Sequence, residues 1–564
     1  MFENKRNIAL IAFFIAAVFC IPFYSTSMFS GLDLTFHLSR FDGMLSAMKD
    51  LQFPLAIYPE KNFGFGYASP LFYCDLFIFP AALLYSMNIP LVIVYKIFVF
   101  FISWSGACCT LYAMNEYTKK PLLCMFGTIV FTFSAYHIND FFIRAALGEA
   151  MAYSLLPLFM VIVKRFLVDR KNNILPLALF FSCLALCHLI TFAFCAAVFA
   201  LLLFCYLFTL FQKPKHFLSL LAAVVIGASL SLFFLAPLLQ QMVSQKFLFV
   251  QNRELWGEEI MRTYSNTLIS AFHDYIIVGH YDLELHHYFV GIPVVLCPLF
   301  LLACDRKSKT FPFLALLTLI SILLFLLTTD LFPVWKIPYL TSVQFTYRFN
   351  ILIASFLPFV MIAGMDRMSD HSAHIVLTLL MLYITANTGV IYHQLMTDEN
   401  QISNTERADV LFSREFYENY NNYFNVSELS SGEYLPATHQ MNYRAMQGSV
   451  ELFDTTSHSI SYSRTGTHSV LAMECEKDGF AALPVSWYLG YQAELNDNGE
   501  PAVLPISQEE YTGRIVIPVR QGTHTYHVYY RGTTVQKGSL LCSFICTLIL
   551  TGYLLASKTG QESD

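Results

Sequence analysis

Apolar residues along this chain fall into long, nearly unbroken blocks, and polar residues collect between them. Blocks approaching the roughly 20 residues needed to cross a bilayer lie at 7–28, 91–113, 122–138, 151–166, 174–190, 192–211, 217–240, 289–304, 310–328, 349–365, 372–393 and 539–556. The pattern predicts a polytopic α-helical membrane protein of about twelve transmembrane helices. The segment 71–85 is apolar but short and contains Asp75 and Pro80. Counted as a span it would invert every later loop, so it is expected as a re-entrant or interfacial helix held against protein. Lys5-Arg6 followed by the apolar Ile8–Phe23 has the outline of a signal peptide, with Ser25-Thr26-Ser27 near a cleavage point. The many later spans make an uncleaved first helix the expected reading.

Between 394 and 538 the pattern changes to a polar, Tyr/Asn/Ser-rich stretch. Arg514-Ile515-Val516-Ile517-Pro518-Val519 and Thr525-Tyr526-His527-Val528-Tyr529-Tyr530 are β-branched and aromatic, with the turn-like Gln521-Gly522 between them. Asn496-Asp497-Asn498-Gly499 marks another turn. A small β-sandwich is expected, preceded by an aromatic, charged helix around Arg407–Tyr423 lying on the membrane surface. The division is then 1–393, a transmembrane domain with outer loops 29–90, 138–150, 241–288 and 329–348; 394–538, a mostly β extracytoplasmic domain; and 539–564, a last helix with a short cytoplasmic tail.

Charge orients this arrangement. With the amino terminus inside, Lys5/Arg6, Lys119/Lys120, Lys164/Arg165/Arg170/Lys171, Lys213/Lys215, Arg306/Lys307/Lys309, Arg367 and Lys558 all face the cytoplasm, as the positive-inside rule requires. Composition agrees: 56% of the 564 residues are hydrophobic and only 13% charged, against about 25% in soluble domains. Mean hydropathy is +0.53. A net charge of −6 without a basic run excludes a phosphate-backbone partner, so no nucleic acid is expected. Most of the 14 cysteines lie in apolar blocks, and the polar domain holds only Cys475. Disulfide poverty on an outward-facing domain suits a bacterial envelope, and the expected location is the bacterial cytoplasmic membrane.

Polar groups at the outer face are the candidates for chemistry. Asp33, His37 and Arg40 stand at i, i+4 and i+7, which on a helix is one face. The carboxylate there either takes a proton from a hydroxyl beside phosphate-neutralising cations, or caps an interfacial helix whose arginine snorkels to lipid. His137, Asn139, Asp140, Arg144 and Glu149 cluster between two spans, as a functional near-membrane charge group or as an i, i+4 Asp140–Arg144 pair that closes a helical connection. In His280–Tyr288, Asp282, Glu284 and His286 point one way if extended. They are either metal ligands or incidental residues of a polar loop. Arg348, beside Phe345 and Tyr347, is a further cation or an aromatic-belt anchor. No glycine-rich nucleotide loop, Walker lysine, Gly-x-Ser-x-Gly elbow or Cys-x-x-Cys occurs, which counts against ATP-driven transport and nucleotide chemistry. Asn425-Val-Ser427 matches a glycosylation sequon.

Gly31-Leu-Asp33-Leu-Thr-Phe-His37, Arg144-Ala-Ala-Leu-Gly148-Glu149, His188-Leu-Ile-Thr191, Gln344-Phe-Thr-Tyr347-Arg348 and Leu483–Asn496 give the chain its likeness. Over nearly its full length it resembles the polytopic GT-C glycosyltransferase superfamily. Within it the likeness is to the YfhO-like proteins and to the 6-pyruvoyl-tetrahydropterin synthase-related membrane proteins. Nothing here looks like a soluble pterin enzyme with a three-histidine zinc site. The resemblance implies transfer of a sugar from a polyprenyl-phosphate donor to an envelope glycan, glycolipid or protein on the outer face, by inverting in-line displacement. Asp33 would be the family's catalytic acidic residue in the first outer loop, taking the acceptor proton. His37, Arg40, Arg144 and Arg348 would bind the donor phosphate, with Asp140 and Glu149 in support. Where relatives carry Asp-x-Asp this chain has Asn139-Asp140, which leaves a divalent metal, Mg or Mn, an open requirement. The β domain would orient the acceptor through Trp487, Tyr488 and Tyr491, or use Trp487 in its core. The alternatives are a transporter or flippase of a lipid-linked envelope precursor, for which Lys96 is the clearest charge inside a span, and a noncatalytic membrane scaffold.

Overall fold

The computed structural model of the protein describes residues 4–208, 212, 214–272, 275–278, 289–412, 432–437, 449–497, 500–510 and 512–561. The chain forms two compact units: 1–34, 92–228 and 255–406 in the first, and 35–91, 229–254 and 407–564 in the second. Sequence hydropathy groups residues by solvent, whereas these units group them by packing.

Among the described residues, six helices are long and apolar enough to cross a membrane: Leu91–Met114, Leu147–Leu167, Pro214–Ser244, Thr346–Met365, Asp370–Thr397 and Thr534–Ala556. A seventh span results if Pro121–Thr132 and Ala135–Ile143, bent by 49°, are taken together. Leu76–Ser86, Ile174–Cys187, Leu189–Cys205, Ile292–Ala303 and Phe311–Leu327 are shorter apolar helices. Local chemistry cuts several blocks short. Lys5–Phe19 stops at Cys20, just before Pro22, whose ring cannot donate to a helix. His188, in extended backbone, separates two apolar helices that the hydropathy pattern runs almost together. The apolar segment 71–85 becomes Ser69–Phe72, a 3-10 turn Leu76–Ile78 and Phe79–Ser86, too short to cross a bilayer.

In the first unit the spans Leu147–Leu167 and Thr346–Met365 are almost wholly buried. A short antiparallel pair, β1 (Ser27–Phe29) with β2 (Gln401–Ser403), ties the two ends of that unit's sequence together.

The second unit contains the expected sandwich. Glu451–Phe453 (β3), Gly479–Ser486 (β6), Arg514–Val519 (β10) and Ser507–Gln508 (β9) form one sheet in the order β3-β6-β10-β9. Ser457–Thr465 (β4), His468–Cys475 (β5), Gly522–Tyr530 (β11), Tyr491–Asp497 (β7) and Glu500–Leu504 (β8) form the other, in the order β4-β5-β11-β7-β8. The turn at Gln521-Gly522 therefore carries the chain from one sheet to the other instead of closing a hairpin. Leu471, Met473, Ala493, Leu495, Tyr526 and Val528 of one sheet meet Ala481, Leu483, Val485, Ile515 and Ile517 of the other in a common apolar core. Ala56, Ile57, Leu71, Phe72 and Phe247 complete that core from outside the polar stretch. Tyr488 and Tyr491 are buried in it, correcting the expectation that they are exposed for an acceptor, while Trp487 packs against it, the core use expected as its alternative. All 14 cysteines are free. Ala408–Leu411 is helical; most of the expected surface helix, and Asn425, lie outside the described residues.

Candidate functional site

The first unit brings Asp33, Asp140, Arg144, Glu149 and Arg348 together. Their placement begins at Gly31. A Cβ on Gly31 would lie 2.7 Å from Cβ of Ala145 and 3.0 Å from the carbonyl oxygen of Ile143. Only glycine admits this approach, and it lets the backbone N–H groups of Leu32 and Asp33 donate to the carbonyls of Ile143 (3.0 Å) and Arg144 (2.7 Å). The preceding strand β1 is secured by the Lys96 ammonium, which donates to the carbonyls of Ser25 (3.0 Å) and Ser27 (2.9 Å).

Asp140 and Arg144 arise from a local irregularity. Ser134 accepts from the N–H of His137 and caps the short helix Ala135–Ile138, after which Asn139–Ile143 widens into a π-turn. Such insertions recur at functional sites. Ala145 follows with φ of +53°, in the left-handed region that non-glycine residues seldom adopt. Glu149 sits in the first turn of Leu147–Leu167, where the helix dipole favours a carboxylate. Arg348 belongs to the turn Thr346–Phe349 that opens the other interior span.

These groups form one charge network. Arg144 Nη1 lies 3.1 Å from Asp140 Oδ1 and 3.0 Å from Glu149 Oε2. Arg348 Nε lies 3.5 Å from the same Glu149 oxygen. Tyr136 donates its hydroxyl to Glu149 Oε1. Arg348 Nη1 donates to the carbonyl of Val343 (3.0 Å) and to Gln344 Oε1 (2.6 Å). Each cation lies on an aromatic ring: Arg144 over Tyr347 at 5.2 Å, Arg348 over Phe345 at 4.9 Å, and the two rings stack at 5.1 Å. His188 is in electrostatic reach of Glu149 and both arginines.

Asp33 is the accessible carboxylate of the three. Its side chain is 37% exposed, against 0% for Asp140 and 2% for Glu149, and its Oδ2 stands 4.0 Å from Arg144 Nη2. Burial raises its carboxyl above the ordinary aspartate value; Arg144 and then Arg348 oppose that rise, while Glu149 adds to it. A carboxyl in this setting keeps its proton to higher pH than a free surface one.

His37 and Arg40 make a different set of contacts, within the second unit. Asp33 precedes the helix Leu34–Lys49, and His37 and Arg40 lie on it. Arg40, 1% exposed, pairs with Asp75 Oδ1 at 2.7 Å, donates to the Cys74 carbonyl at 3.1 Å, contacts His37 Nδ1 at 3.3 Å and lies over the Tyr73 ring. Tyr58 donates to the other Asp75 oxygen. Burial pushes the Asp75 carboxyl up and the Arg40 and Tyr58 contacts pull it back. Tyr136 and Asp75 are the partners that motif reading missed. Both bond through side chains across sequence gaps that no spacing rule spans.

Among the described residues no group of three or more His, Cys, Asp or Glu side chains could hold a metal ion. Asp282, Glu284 and His286 lie outside the described residues.

Apolar helices with interior spans that carry a buried arginine–carboxylate network define a polytopic membrane protein. The family described as "6-pyruvoyl-tetrahydropterin synthase related domain; membrane protein" matches residues 70–395, more than half of the chain. The chain belongs to that family. No curated protein matches it significantly.

Proposed function

We infer that the chain is a membrane glycosyltransferase of the GT-C type. It moves a sugar from a polyprenyl-phosphate donor to an envelope glycan, glycolipid or protein. The observation that carries this reading is the meeting of the partly exposed Asp33 with Arg144 and, through Glu149, with Arg348. Asp33 takes the proton as the acceptor hydroxyl oxygen bonds to the anomeric carbon. The bond from that carbon to the phosphate oxygen breaks, its electron pair leaves with the phosphate, and Arg144 and Arg348 stabilise the charge that develops there. Attack opposite the leaving group inverts the anomeric centre. A lipid-borne donor brings its own activation, which fits a chain without a nucleotide loop. In this reading the protein spans a bacterial cytoplasmic membrane about twelve times, with the amino terminus inside and 394–538 outside. A divalent ion at Asp282, Glu284 and His286 would neutralise phosphate charge.

A second reading, movement of a lipid-linked precursor across the membrane, draws support from the bent helix pair at 121–143. There the Asn139 side-chain atoms and Asp140 Oδ2 are buried without a hydrogen-bond partner among the described residues, a pattern associated with transport pathways. Asp33→Asn in membranes supplied with radiolabelled polyprenyl-phosphate sugar separates the two. Loss of transfer supports the transferase; full transfer removes Asp33 as the base; precursor accumulating on the inner leaflet of a deletion strain supports movement.

A further inference from the structure

We propose that Glu149 is the positioning residue of the anion site, holding Arg144 and Arg348 side by side so that one phosphate is gripped by both. This rests on the reading of those two arginines as the phosphate-binding pair.

Two guanidinium groups repel one another, and at a buried site the repulsion is poorly screened. Here a single carboxylate oxygen faces both: Glu149 Oε2 is 3.0 Å from Arg144 Nη1 and 3.5 Å from Arg348 Nε. The second oxygen accepts from Tyr136, which fixes the carboxylate's rotation. Arg144 Nη1 is thereby hydrogen-bonded, and Arg348 Nε is held as an ion pair. Arg348 Nη1 is also used, by the Val343 carbonyl and Gln344. What remains is Arg348 Nη2, which makes no hydrogen bond among the described residues, and Arg144 Nη2, whose neighbour Asp33 Oδ2 at 4.0 Å is beyond hydrogen-bond range. One N–H2 from each cation is left for an incoming tetrahedral anion. Each cation also rests on one ring of the Phe345–Tyr347 stack. Glu149 touches neither donor nor acceptor in this scheme; it acts through the arginines.

The sign of one measurement distinguishes this role from plain electrostatics. If Glu149 were only a negative charge near the phosphate, neutralising it would tighten anion binding. If it clamps the arginines, neutralising it lets them separate and binding weakens. The experiment titrates geranyl phosphate into the full-length protein in lipid nanodiscs, using isothermal titration calorimetry, for the wild type, Glu149→Gln, Glu149→Asp, Tyr136→Phe and Arg348→Gln, with melting temperatures in parallel. Glu149→Gln is expected to weaken binding about tenfold or more, as loss of a charge-assisted contact does. Glu149→Asp should recover part of that loss, and Tyr136→Phe, which changes no charge, should weaken binding by a smaller factor. Unchanged or tighter binding in Glu149→Gln overturns the clamp. If that variant does not fold, unchanged binding in Tyr136→Phe overturns it instead. Failure of the wild type to bind, or binding that ignores Arg348→Gln, overturns the phosphate site itself and the clamp with it.

Discussion

Asp33 and Arg144 are joined twice: the backbone N–H of Asp33 donates to the Arg144 carbonyl at 2.7 Å, and the Asp33 carboxylate stands 4.0 Å from the Arg144 guanidinium. The first contact fixes where the chain lies, and the second leaves the carboxylate close to a cation without a direct hydrogen bond. A proton acceptor needs this combination, because a fully paired carboxylate is a weak base.

The pH dependence of sugar transfer follows from that setting. Asp33 accepts a proton only when ionised, and burial raises its carboxyl above the ordinary value of about 3.9. The acid limb of kcat/KM therefore lies above that value, with activity falling as pH drops through it. Arg348→Gln removes a cation that favours the carboxylate, so the limb moves to higher pH, with a smaller movement in Arg348→Lys. A pH–rate profile in which Arg348→Gln moves the limb downward would count against Asp33 as the base.

Gly31→Ala tests the backbone junction. The added methyl carbon would come within 2.7 Å of the Ala145 side chain and 3.0 Å of a carbonyl oxygen, an overpacking that costs about 1–3 kcal/mol. The chain at Asp33 must shift, and transfer is expected to fall on the order of 10- to 100-fold. Initial-rate measurements on folded protein check this; an unimpaired rate would mean that the junction does not set the position of Asp33.

Arg40 and Asp75 should behave as a buried pair. Arg40→Met leaves the Asp75 carboxylate buried without its cation, at a cost of about 3–5 kcal/mol. Adding Asp75→Leu should restore much of the loss, because the stranded charge is then gone. Thermal unfolding of the two single variants and the double variant in detergent gives the coupling. Strictly additive losses would show that the pair is not coupled.

Lys96→Met separates an anchoring lysine from one on a transport pathway. Its ammonium holds the carbonyls of Ser25 and Ser27, and a hydrogen bond from a charged group contributes about 1.5–3 kcal/mol. A lower melting temperature together with reduced transfer is expected. Precursor movement lost at unchanged melting temperature would favour the pathway.

Much of the fold is legible in the sequence where a physical signal is local. Long apolar blocks announce membrane helices, β-branched and aromatic runs announce β10 and β11, and the i, i+4 spacing of Asp140 and Arg144 announces their ion pair at 3.1 Å. The site was harder to read. Spacing on one helix groups Asp33 with His37 and Arg40, yet the helix starts at Leu34, and Arg40 turns to Asp75. Glu149 and Arg348 are brought together by two interior spans far apart in the chain, and Tyr136 by a bend after Phe133. Hydropathy locates such spans but not which of their ends meet. Trp487, Tyr488 and Tyr491 lie in a polar stretch, and only the packing of the two sheets shows them to belong to its core.

The three-part origin of the sandwich core has a practical consequence. Lifted out as residues 394–538, the β region would leave behind Ala56, Ile57, Leu71, Phe72 and Phe247, the side chains that fill its interior from elsewhere in the chain. It is not a portable module: grafted onto another protein or expressed as a fragment, it would present a raw apolar seam and need those segments supplied in trans to stay in solution.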